Sequence, residues 1–372
     1  MRSGEKGFKQ LRELLPEGWE EKAKELGALQ RARQIKTPEE LLRLNLLYLT
    51  EGKSMAGTSA LTNLLGEATM SKIAVFKRIQ NSGEWMQWMC KTIYRGAGLL
   101  IEKPQWLEDR NVLLIDGSED IKGGAERQYF MLHYSMDLFT LAAREFLITD
   151  EKTGEKLANF KQLGKGDIVT ADRAYGTVPG ITYLKNQGAD YVLRLRAGAF
   201  RIYDENGQEI DLMAKFSRLM AWDCGEITGW LDIKGGKEPV RVCALRKDIL
   251  NTWKGMERLK KENQRKRSGK PVSALQEEYN KYIIVITSLG KNVSAKQVLE
   301  LYRARWQIEM AFKRLKSLFG YNEMPARKEG NIKTWFYGKL LLAALCETLV
   351  NTGRFPPSGG RRRSAKRRKA QP

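Results

Sequence analysis

The most informative hydrophobic pattern in the chain is a pair of short apolar runs, each closed by an aspartate. Val112 to Ile115 form an unbroken apolar run that stops at Asp116–Gly117, and "DIVTADRAYG" repeats the design, stopping at Asp172. Runs this short and this apolar predict strands buried on both faces. Between them, "YFMLHYSM" and "LFTLAAREFLI" predict two further strands, followed by a polar helical stretch after Gly154. "GITYLKNQG" then reads as a helix and "DYVLRLR" as another strand. The resulting order predicts an α/β domain with a mixed sheet.

From about Ala197 to Lys281 the pattern is mostly of the strand type, with "EITGWLDI" and "PVRVCALR" as the best candidates. The basic stretch "KGMERLKKENQRKRSGK" that follows is predicted helical, and "YIIVITSLG" resumes a core-type strand. Residues 197–281 are therefore read as a β-rich insertion dividing the α/β core into parts at 106–196 and 282–350.

Residues 1–105 read as an all-helical domain. "TPEELLRLNLLYLTEG" carries Thr37 as N-cap with Glu40 three residues on, and Gly52 as a stop. In "TSALTNLLGEATMSKIAVFKRIQ", Ala60, Leu61, Leu64 and Leu65 predict a short helix broken at Gly66. A second helix starts after Ser71, burying Ile73, Val75 or Phe76, and Ile79, with Lys72, Lys77 and Arg78 outward. That is the outline of a helix-turn-helix whose second helix can enter a major groove, although generic helical hairpins share it.

The last strong pattern is "YRARWQIEMAFKRLK", within a helix opened by a Ser294–Gln297 capping box. At about 100° per residue, Tyr302, Arg305 and Lys316 all lie within roughly 40° of Glu309. An apolar stripe of Leu301, Ala304, Ile308, Ala311, Leu315 and Leu318 runs beside that face. The helix is expected to pack on the core and aim one carboxylate, flanked by donors, along its edge. The plain alternative is a salt-bridged surface helix.

Charge changes the picture. The chain carries 65 Lys and Arg against 44 Asp and Glu, a net +21. Setting aside the tail that ends in "RRRSAKRRKAQP" (351–372) leaves the body strongly basic, which favours a polyanionic partner, nucleic acid first. With His133 the single histidine and four widely spaced cysteines, composition argues against a histidine-based zinc site or triad. No membrane-length apolar run or signal peptide is evident, so no membrane partner is expected and the setting reads as cytoplasmic.

Two aspartates at the ends of neighbouring strands, joined by a glutamate from an adjacent helix, would form a three-carboxylate cluster. Hard oxygen ligands of this kind hold Mg²⁺ for phosphodiester chemistry. Asp120 competes with Asp116, which is preferred because it closes the apolar run.

These residues resemble a known family. The spacing Tyr302, two residues, Arg305, three residues, Glu309, six residues, Lys316 is similar to the glutamate signature of cut-and-paste insertion-sequence transposases of the insertion-sequence-four family. "IDG" at Asp116 and "DRAYG" at Asp172 resemble that family's two aspartate motifs. The resemblance implies a ribonuclease-H-like core with Asp116, Asp172 and Glu309 as catalytic metal ligands for Mg²⁺, with Mn²⁺ able to substitute. It implies that Arg305 and Lys316 hold phosphates and that the Tyr302 hydroxyl contacts the DNA backbone. At Trp306 a flipped base could stack, or the ring could fill the core. The implied partners are double-stranded DNA, at transposon ends and target, and a second protomer in a synaptic homodimer acting at the nucleoid. The alternatives are a noncatalytic DNA-binding derivative and a ribonuclease-H-like nuclease without strand transfer.

Overall fold

The computed structural model describes residues 3–52, 54–96, 102–123, 128–150, 152–265, 271–320 and 328–351. They divide into two compact units, one holding a mixed sheet and the other helical.

The sheet has nine strands: β1 (Asn111–Gly123), β2 (Gln128–Asp137), β3 (Ala143–Asp150), β4 (Asp167–Ala171), β5 (Asp190–Arg194), β6 (Ile202–Tyr203), β7 (Cys224–Ile233), β8 (Gly236–Arg246) and β9 (Tyr282–Thr287). Their spatial order is β3-β2-β1-β4-β5-β9-β8-β7-β6, with β1, β4 and β5 parallel and the other neighbours antiparallel. The segment 197–281 thus extends the same sheet through the β8–β9 pairing. It also carries helices α8 (Leu212–Phe216), α9 (Ile249–Arg265) and α10 (Ala274–Asn280), while α7 (Val178–Gln187) links β4 to β5.

Strand alternation separates two faces. Leu113, Ile115, Val169 and Ala171 join Ile181 and Leu184 of α7 in a buried apolar cluster. On the opposite face, α11 (Ala295–Ala304) packs on β4 and β5, and α12 (Trp306–Phe319) packs on β1. Ile115 beside Ala171 is the last parallel pair between β1 and β4. Asp116 and Asp172 are therefore the next residues along two adjacent strands.

Three expectations change here. The first strand does not end with its apolar run at Asp116–Gly117: β1 continues along β2 to Gly123, with an irregularity between Ser118 and Ile121. Asp120 lies in that extension, and its side chain is outside the described ones. The helical stretch expected after Gly154 is a single 3₁₀ turn at Leu157–Asn159, in a segment where Gly154 and Gly166 both take positive φ. The long helix after Ser294 is broken at Arg305, where Arg305 N–H bonds Tyr302 O and Ile308 N–H bonds Arg305 O, a tightened three-residue spacing.

The helical unit contains α1 (Ser3–Arg12), α2 (Trp19–Glu25), α3 (Pro38–Leu47), α4 (Met55–Leu64), α5 (Lys72–Asn81), α6 (Gly83–Gly96) and α13 (Glu329–Asn351). The Thr37–Glu40 capping box opens α3. α13 packs on α6 and α5 through buried residues that include Trp335, Leu340 and Leu341, so this unit takes its last helix from far along the chain. Among the described residues, no helix is long and apolar enough to cross a membrane. The basic tail at 352–372 lies outside the described residues.

Candidate active site

Three carboxylates from three elements converge on one guanidinium. Asp116 follows the parallel part of β1, Asp172 follows β4, and Glu309 lies one turn into α12. Arg305, at the break between α11 and α12, donates to Asp116 Oδ2 at 3.3 Å and forms an ion pair with Glu309 Oε1. Its side chain is 12% exposed, whereas Glu309 is 58% exposed. Burial pushes the Asp116 carboxyl up to about 6. The Gly117 N–H and Arg305 pull it back, while Asp172 and Glu309 push it further up. That mutual repulsion is the electrostatic mark of a clustered acid triad. Burial works against the Arg305 charge, and Tyr302, Asp172, Glu309 and Asp116 together outweigh it, so its pKa rises.

Glycines crowd the backbone close to both aspartates. A Cβ on Gly176 would meet Arg194 O at 2.4 Å, so the turn after Asp172 can press on β5 only without a side chain. A Cβ on Gly117 would lie 2.6 Å from Glu155 Oε1 and 3.1 Å from the Tyr175 hydroxyl. Tyr175 is buried beneath the aspartates, and burial with the fields of Glu155, Asp116 and Asp172 drives its phenol far above the ordinary range. Glu155 is a fourth carboxylate at this site that sequence pattern did not reveal, since it sits in an irregular segment without periodicity.

The other residues of the signature separate by environment. Tyr302 is buried, its hydroxyl has no hydrogen-bond partner among the described residues, and its ring lies under both Arg305 (5.8 Å) and Arg194 (5.9 Å). Trp306 is 50% exposed, which overturns the core-packing alternative for it. Lys316 shares a shallow cavity of about 450 Å³ with Glu309, Gly117 and Ser118. On the other side of Glu309 opens a larger cavity of about 1490 Å³, reaching Asp172, Arg305, Trp306 and the basic side chains of β5 and α9. Trp222 also lines it, held at φ 73° and largely exposed, a conformation rare for a bulky residue and invisible in sequence.

In the helical unit, α4 and α5 form the expected helix–turn–helix pair, with Gly66 at φ 71° in the turn. Lys72 and Lys77 are exposed on α5. Arg78 is not simply outward: its guanidinium donates to Arg31 O and is committed within the unit. Val75 and Ile79 are buried as expected, whereas Ile73, also expected inside, is 67% exposed. On α4 the buried side chains are Thr58 and Thr62, while Leu64, and Leu65 just past the helix, are exposed. Their hydroxyls are satisfied by Ser54 O and Thr58 O one turn back, which removes the penalty of burying them.

Residues 108–345, spanning all three carboxylates, match the family model described as the transposase DDE domain. The chain belongs to the DDE transposase family. Similarity extends well beyond the domain. The chain is 32% identical over 351 residues to InsL of insertion sequence element IS186A from Escherichia coli K12, covering 92% of this chain and 93% of that one. It is 32% identical over 352 residues to the transposase for insertion sequence element IS421 from Escherichia coli, with the same coverage. The transposase for IS231C from Bacillus thuringiensis subsp. berliner is 24% identical over 381 residues, 91% of this chain and 78% of that relative.

In this transposase, no group of three or more His, Cys, Asp or Glu side chains among the described residues is gathered closely enough to hold a metal ion as it stands. The donor chemistry nevertheless fits a hard divalent cation. Asp116, Asp172 and Glu309 are mutually repelling oxygen donors, and a side-chain cation, Arg305, already bonds two of them.

Proposed function

We propose that this transposase catalyses metal-dependent cleavage and strand transfer at the terminal inverted repeats of an insertion sequence, in cut-and-paste transposition. The observation that carries the reading is the convergence of Asp116, Asp172 and Glu309 on Arg305 beside a large basic cavity. Its ribonuclease-H-like character rests on the two aspartates following adjacent parallel strands of a mixed sheet, with the glutamate on a helix that packs on one of them.

Asp116, Asp172 and Glu309 would hold Mg²⁺, with Mn²⁺ able to replace it. When bound, such a cation supplies the charge that activates an attacking oxygen and stabilises a leaving one. The chain's own contribution is to fix the phosphate. Arg305 offers a planar fork of donors beside two of the acids, and Lys316 supplies a second cation on the β1 side of Glu309. The half-exposed Trp306 ring would meet a base, whereas the Tyr302 hydroxyl, buried away from any DNA backbone, leaves that residue the role of supporting the Arg194 and Arg305 guanidiniums over its ring. Lys72 and Lys77 on α5 would approach double-stranded DNA at the transposon ends. Joining two ends requires two protomers, hence a synaptic homodimer working on nucleoid DNA in the cytoplasm.

The test is to incubate the protein and Mg²⁺ with DNA from both flanks of its own gene. The reading expects nicks at inverted repeats, followed by products in which the freed 3′ ends have joined another strand. Nicking without joining would reduce the protein to a nuclease, and binding without nicking to a noncatalytic DNA-binding derivative.

A further inference from the structure

The lining of the large cavity gathers several cations, of which Lys247 is fixed by its packing. Arg173, Arg194, Lys247 and Arg258 all line it, together with Asp172 and Arg305. Lys247 follows directly on β8, and its ammonium donates to Asn280 Oδ1 at 3.1 Å. Asn280 in turn donates to Thr252 O at 2.8 Å, tying the end of α10 to α9. α9 comes so near that a Cβ on Gly255 would lie 2.3 Å from Asn280 Oδ1 and 3.1 Å from Lys247 Nζ. Unlike most lysines, this one has a fixed position.

That position is electrostatically unfavourable for an isolated cation. Burial and the fields of Arg194, Arg173 and Arg258 pull Lys247 down to about 8, and Asp248 opposes them. Asp248 is itself occupied in capping α9 through the Asn251 N–H. Arg173 has Glu262 at 3.6 Å, and Arg194 leans over the Tyr302 ring, whose buried hydroxyl has no partner among the described residues. Gathering like charges opposes folding unless an anion relieves them. The cavity runs on from these cations to Asp172 and Glu309, and at about 1490 Å³ it suits a polymer rather than a single small ion.

We propose that Lys247, with Arg173, Arg194 and Arg258, forms a binding site for a DNA phosphate on the strand next to the phosphate that reacts at Asp116, Asp172 and Glu309. The proposal deepens the transposase reading of the same site and rests on it. Lys247 also braces α9 to the sheet end, so the test has to separate binding from stability.

The full-length protein and its Lys247→Gln and Arg258→Gln variants are titrated, in Ca²⁺, with a duplex carrying one end of the element over a salt series. Thermal melting is recorded alongside. Lys260→Gln is the charge-matched control, because Lys260 is exposed on α9, pairs with Glu257 at 3.3 Å and does not line the cavity. Lys247→Gln is expected to weaken binding roughly tenfold, the worth of one charged hydrogen bond. Its slope of log affinity against log salt should be shallower by about 0.9. Arg258→Gln, at an exposed position that does not threaten folding, should do the same, and Lys247→Arg should restore the slope. Both Gln variants keeping the wild-type slope would overturn the proposal, whether or not Lys247→Gln melts lower. Wild-type cleavage of end DNA in Mg²⁺ is scored separately. A wild type that binds but never cuts removes the transposase reading, while the slopes still decide the phosphate site.

Discussion

Arg305 reaches Asp116 at 3.3 Å across 189 residues of sequence, and the same guanidinium pairs with Glu309 one turn along its own chain direction. This bridge joins the first motif to the third. The helical spacing tightens at the same residue, Arg305, whose side chain reaches Asp116.

Arg305→Lys should therefore impair cleavage although it keeps the charge, because an ammonium cannot span two carboxylates and a phosphate with a planar fork. Losing one preorganised donor to a developing charge costs about 2.7–4 kcal/mol, or roughly two to three orders of magnitude in rate. Single-turnover cleavage of pre-bound DNA, with melting temperature as control, measures it. An exposed surface pair would lose only about 0–1 kcal/mol, and a near-normal rate would return Arg305 to that role.

Trp306→Ala tests the base-stacking role that its exposure leaves to the ring. An exposed side chain away from the core changes stability by about 0.5 kcal/mol or less on truncation, whereas a buried Trp loses about 3–5. Melting should stay close to wild type and end cleavage should fall. A large drop in melting temperature would restore the packing role.

His133 gives a pH signature independent of DNA. It is buried on β2, where its ring nitrogens meet Thr149 Oγ1 at 2.9 Å and Asn159 Nδ2, and burial lowers its pKa from 6.5 to about 4. The unfolded chain then binds the proton first, so this contribution to stability is complete above pH 6.5 and is lost as pH falls toward 4. Stability should decline across that window by up to a few kcal/mol. His133→Gln should flatten the profile there, measured as urea midpoints from pH 7 to 4. An unchanged slope would show that His133 is not the titrating group.

Much of this site was legible in sequence because it follows periodicity. Apolar runs ending at Asp116 and Asp172 mark strand ends, and the spacing around Glu309 fixes a helical face. The structure adds register, with Ile115 beside Ala171 making the two aspartates neighbours. What sequence could not supply depends on packing between distant segments. Tyr302 lies on the polar face of the helical wheel yet is buried, because Arg194 and Arg305 cover its ring. Lys247 was one cation among many until Gly255 and Asn280 fixed it. Glu155 and Trp222 sit in irregular backbone, where no period announces a role. In the helical unit, Thr58 and Thr62 give no apolar signal in sequence, yet back-bonding to the previous turn satisfies their hydroxyls and lets them be buried.

Asp116, Asp172 and Glu309 are proposed to act as one catalytic metal-binding set. Asp116→Asn, Asp172→Asn and Glu309→Gln each replace a hard oxygen ligand by a carboxamide of nearly the same shape. The decisive measurement is single-turnover cleavage of end-bearing DNA in Mg²⁺ and Mn²⁺ for each variant, with DNA affinity measured on the same samples in Ca²⁺. The account predicts that all three variants bind DNA within a few-fold of wild type and that none cuts it. Substantial cleavage by any one of the three would contradict it.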